Sequence, residues 1–158
     1  MRRFEFSLQK VLDYRQRVEE QAIRAFAEAQ AHLIRERAML HQLLIEREEC
    51  LRRSQRRQQL AIELLDIEQT YLSALEGRIE AQRERVAQAE KVLQKKREAL
   101  IEAQRERKVL ERLREKHYEQ WRQEMLHSEQ KSLDDLATVR AVLSPGVLSL
   151  RLGGETHE

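Results

Sequence analysis

Apolar residues recur at helical spacing over two long stretches of this chain, and a polar interval separates them. In the first stretch Leu8, Leu12, Ala22, Phe26, Ala29, Leu33, Leu40, Leu43 and Leu44 carry the pattern, with Phe26, Leu33 and Leu40 seven apart. A period of seven keeps one face of a helix turned toward a partner helix. Arg15, Glu19 and Glu36 intrude on that face. In the second stretch Leu65, Leu72, Ile79, Val86, Leu93 and Leu100 form an unbroken aliphatic row, again seven apart. The row interleaved with it is mixed, since Glu68, Gln82 and Lys96 share it with Leu75, Ala89, Ala103 and Leu110.

The interval at residues 52–59 holds eight polar residues in succession, which makes a reversal of the chain between about 52 and 61 the natural expectation. The first helix is expected near 7–54, with the Ser7 hydroxyl capping free backbone amides and Phe6 packing back on Val11. The second is expected near 60–142, so the arms would run roughly 70 and 120 Å at the helical rise. A hairpin lets each stripe bury against the other, whereas one uninterrupted helix would need a partner along its whole length. At this stage the continuous rod stays open as the alternative. With unequal arms, the residues after about 107 overhang the first helix, and they include Leu110, Leu113, Tyr118, Trp121, Met125, Leu133 and Leu136. Pro145, which cannot continue a helix, closes the second arm, and residues 144–158 are expected as a flexible tail.

Composition supports the helical assignment. Leu, Ala, Glu, Lys and Arg make up 92 of the 158 residues, with no Asn, one Pro and four Gly, so the turns that strand architectures need are absent. The fold class is therefore all-α, a long antiparallel two-helix coiled coil or α-hairpin, and a single chain that covers its own stripes is expected to be a monomer. The net charge of +2 with interleaved signs is no nucleic-acid footprint. No apolar run exceeds three residues, as in Leu43, Leu44 and Ile45, far below a membrane span, and the expected compartment is the cytosol. The lone Cys50 fits a reducing environment as a bland, buried thiol. No glycine-rich phosphate loop and no histidines four apart occur, so neither a cofactor nor a metal is expected, and carboxylates on open helical faces are poor general acids. Enzymatic activity is therefore not expected. Arg52, Arg53, Arg56 and Arg57 at the expected tip form the one concentrated basic stretch, read mainly as a solvated turn.

Several segments resemble the flagellar type III export protein FliJ family. They are the start, with Phe4, Phe6, Leu8, Gln9, Lys10, Val11, Leu12, Tyr14 and Arg15; the middle, with Tyr71, Leu72, Leu75 and Ile79; the stretch with Lys108, Leu110, Glu111, Leu113, Glu115 and Lys116; and the run 129–137. The resemblance covers residues 1 to about 140 and implies a hairpin similar to the central stalk of rotary ATPases. It further implies a non-enzymatic role, in which one end of the stalk inserts into the flagellar export ATPase ring and promotes its assembly. The stalk would also bridge that ring to the membrane-embedded export gate and interact with export chaperones. The protein would then be cytoplasmic, peripherally associated with the cytoplasmic face of the inner membrane.

The resemblance also assigns candidate surfaces. The ATPase-binding residues are Phe4, Phe6, Leu12 and Arg15 on one side and Trp121 and Met125 on the other, because scarce aromatics off a seam serve as anchors. The export-gate-binding residues are Leu44, Tyr71 and Leu75. Leu75 also fits the second row of the seam. Two other functions remain open at this point: a cytosolic coiled-coil scaffold or homodimeric spacer, and an RNA-binding coiled-coil arm.

Overall fold

The computed structural model describes residues 3–56 and 62–143. They form two helices, α1 (Gln9–Arg56, 48 residues) and α2 (Ile62–Val142, 81 residues), with no strand among the described residues. The reversal expected at 52–61 is covered only by the end of α1; residues 57–61 and the tail at 144–158 lie outside the described residues. α1 starts later than a Ser7 cap implies, because its first backbone bond runs from the Leu12 N–H to the Leu8 carbonyl. Arg53 and Arg56 close α1 and Glu63 opens α2, each charge favourable to the local helix dipole.

The chain divides into two compact units, one of Leu8–Leu110 and one joining Met1–Ser7 to Glu111–Glu158. In the first, α1 packs antiparallel on α2. Four cross-helix pairs fix the direction, since partners on α2 fall in number as those on α1 rise: Arg15 with Glu106, Glu19 with Arg107, Arg37 with Glu90, and Glu46 with Tyr71. Buried Leu12, Ala29, Leu33 and Cys50 supply the α1 side, and Leu75, Ile79, Gln82, Ala89 and Ala103 the α2 side. The polar intruders are accommodated by pairing. Gln82, only 3% exposed, donates from its Nε2 to the Glu36 backbone carbonyl at 3.0 Å and to the Glu36 carboxylate. A buried amide so satisfied avoids the cost of an orphaned donor. The Glu19 and Arg107 side chains, 12% and 21% exposed, form an ion pair at the seam's edge, and Arg97 lies over the Phe26 ring at 6.0 Å.

The mixed row of α2 lies deeper than the aliphatic one. Of the mixed row Leu75, Gln82, Ala89 and Ala103 are buried and Lys96 is exposed, whereas of the aliphatic row only Ile79 is buried, Leu72, Val86, Leu93 and Leu100 are half-buried and Leu65 is 43% exposed. At Ala89 and Ala103 a short side chain needs little cover to be buried. Gly77 faces open space, with nothing within 4 Å of an added Cβ.

In the second unit the non-helical residues 3–6 lie along the continuation of α2. Phe6 is 7% exposed and its ring meets His117 edge-on at 5.7 Å, while Val11 is left 41% exposed. From residue 126 to residue 143 every position is exposed.

Candidate functional site

The second unit concentrates what is scarcest in the sequence. The chain has three Phe, three Tyr and one Trp, and four of these side chains, Phe4, Phe6, Tyr118 and Trp121, lie in this unit. Phe4 makes an edge-to-face contact with Tyr118 at 5.2 Å and a tilted one with Trp121 at 5.8 Å. Tyr118 and Trp121, three apart on α2 and so on one helix face, are stacked with centroids 5.7 Å apart. Ring pairs in these geometries contribute more than their buried area alone. The segment before α1 has no helical hydrogen bonds to hold it, so these ring contacts are what position Phe4.

The cluster is not sealed. Tyr118 is 47% exposed, and a concavity of about 500 Å³ opens beside it, lined by Phe4, Glu111, Arg114, Glu115 and Tyr118. An apolar floor with a charged rim of both signs is the arrangement of a protein-contact hot spot. Met125, one turn beyond Trp121, is half-buried.

The sequence-derived ATPase-binding residues therefore separate. Phe4 and Trp121 touch, and Phe6 and Met125 belong to the same unit. Leu12 and Arg15 belong to the coiled-coil unit, where Leu12 is 1% exposed and Arg15 pairs with Glu106. Leu12 has no surface to offer a partner, because it is one of the two most completely buried large side chains. Tyr118 and His117 were missed. The signal for Tyr118 was its place three residues before Trp121, on the face that the aromatic anchor marks.

The residues matched to the gate also sort by burial. Leu75 is 1% exposed and packs in the seam. Leu44 is half-buried, and Tyr71, one turn before Leu75, is 42% exposed with its hydroxyl donating to the Glu46 carboxylate across the helices. That hydrogen bond favours the neutral phenol and, with partial desolvation, raises the Tyr71 pKa above its ordinary value of 10.0. The ring is thereby held in one orientation with a face open to solvent. A groove of about 330 Å³ lies farther along the same unit, lined by Met39, Gln42, Leu43, Glu46, Arg78, Ala81, Gln82 and Arg85. Among the described residues no group of three or more His, Cys, Asp or Glu could hold a metal ion.

The family model described as Flagellar FliJ protein matches residues 4–145 of the chain. No curated protein and no solved structure matches it.

Proposed function

The chain belongs to the flagellar FliJ family, whose work is in flagellar export, and from that membership we propose that it is a non-enzymatic stalk of the type III export apparatus. In this reading the unit carrying Phe4 and Trp121 inserts into the export ATPase ring and promotes its assembly. The coiled-coil unit couples that ring to the membrane export gate and to export chaperones. The observation that carries the reading is the open aromatic cluster of Phe4, Tyr118 and Trp121 with its charged rim. Rigid rings partly exposed beside a concavity are efficient anchors, because little side-chain entropy is lost when a partner closes over them.

For the gate, the direct contacts would fall to Tyr71 and Leu44, the two matched residues that keep exposed surface. Among the described residues no helix is long and apolar enough to cross a membrane.

The test is a Phe4→Ala and Trp121→Ala double variant titrated against the purified cognate ATPase. Both residues lie outside the coiled-coil unit, so helical circular dichroism should persist while half-maximal stimulation requires at least about tenfold more protein. Stimulation at the wild-type concentration would refute the ATPase assignment. Point variants serve better than deletion of the first fifteen residues, which would also remove Leu12 from the seam.

A further inference from the structure

Residues 126–143 expose a stripe that nothing among the described residues covers: Leu126 is 56% exposed, Leu133 66%, Leu136 66% and Leu143 73%. Leu126 and Leu133 stand seven apart in one heptad row whose next member is Arg140, and Leu136 and Leu143 in the other, whose preceding member is Glu129. Read backwards, the second row repeats the first with the charge reversed. Leucine, leucine and arginine in one direction become leucine, leucine and glutamate in the other.

We propose that this stripe is a self-association surface, on which residues 126–143 of two copies pair as an antiparallel coiled coil about a two-fold axis. In that register Leu126 faces Leu143 of the second copy, Leu133 faces Leu136, and Glu129 faces Arg140, each contact occurring twice. Antiparallel coiled coils bring the two heptad rows against each other, as this pattern requires. The positions flanking the rows, Met125, Gln130, Ser132, Ala137 and Val139, carry no charge to oppose approach. His127, Lys131, Asp134 and Asp135 occupy the three outward heptad positions. A parallel pair would instead set Glu129 against Glu129 and Arg140 against Arg140. A slip of one heptad in either direction would place a leucine against a charge. A partner of unrelated sequence gives no reason for such a palindrome, whereas a second copy needs it.

The interface is short, below the roughly 800 Å² per partner of a stable complex, so the pair forms at micromolar or higher concentration and dissociates on dilution. It stands apart from the export reading, being a property of the purified chain alone.

Sedimentation equilibrium of the full chain across a concentration series reads it directly. The mass should rise from monomer to dimer. Arg140→Glu, which sets Glu against Glu129, should weaken the dimer about tenfold, and adding Glu129→Arg should restore it. These positions are exposed, so circular dichroism should not change. In a Cys50→Ser background, chains carrying Leu126→Cys and Leu143→Cys should crosslink when mixed and not when alone, since like cysteines would lie about 25 Å apart along the pair. A monomer at every concentration, a dimer indifferent to Arg140→Glu, or crosslinking of Leu126→Cys with itself would each overturn the proposal.

Discussion

The part of α2 paired with α1 and the part beyond residue 125 are built from the same materials, leucines at heptad spacing among Glu, Arg and Gln, yet one is a core and the other a surface. Leu75 and Leu133 are both heptad leucines on one helix; the first is 1% exposed and the second 66%. Periodicity states that a face is fit for burial and leaves open what buries it. The paired region differs in that α1 covers it, with Ala89, Ala103 and the hydrogen-bonded Gln82 buried beside Leu75.

The sharpest way to break the comparison is to truncate both leucines. Leu75→Ala should cost about 2–5 kcal/mol in thermal or urea unfolding, because it opens a cavity in a seam two side chains deep. Leu133→Ala should stay within about 0.5 kcal/mol in dilute solution, since Leu133 is 66% exposed. Equal costs would mean that the exposed stripe is covered in the free monomer. The next effect is electrostatic. Arg107→Met should cost about 1–2 kcal/mol by leaving Glu19 partly buried beside an apolar neighbour, and the cost should shrink little as salt is raised. The same loss disappearing at high salt would place the pair effectively in water. The smallest effect is expected at Tyr71→Phe. The raised pKa of Tyr71 means that its bond to Glu46 contributes fully below pH 10.0 and is lost as pH rises through the folded value. The difference in Tm between wild type and Tyr71→Phe should therefore be present at neutral pH and vanish in the alkaline range; a difference that grows with pH would refute the assignment.

The two helices and their antiparallel pairing were legible in the sequence, because no Gly or Pro stands between Gln9 and Arg56 and the spacing of seven is sustained on both arms. The depth of each row was not. The aliphatic row from Leu65 to Leu100 looks the stronger, but Ala89 and Gln82 of the mixed row are buried while most of the aliphatic row is only half-buried. The aromatic cluster was legible at Phe4 and Trp121, scarce rings off the seam, and illegible at Tyr118. Its role depends on how residues 3–6 are laid down, and a non-helical segment has no period from which to read a facing side. Leu12 and Leu75 were placed on surfaces for the opposite reason: a family motif can mark a residue that shapes a contact from beneath without touching it.

The hydrogen bonds from Gln82 to Glu36 have a mechanical consequence. Two-helix coiled coils can carry a signal by sliding, one strand jumping a heptad along the other and trading one set of apolar layers for an equivalent set. Here such a jump would carry Gln82 from Glu36 to Ala29 or Leu43, and Arg107 away from Glu19. Gln82 would lose the Glu36 carboxylate, and the half-buried Glu19–Arg107 pair would be broken. The groove between the strands thus has a single detent. Whatever load the pair bears must be passed on by bending or turning the two strands together, never by letting one creep along the other.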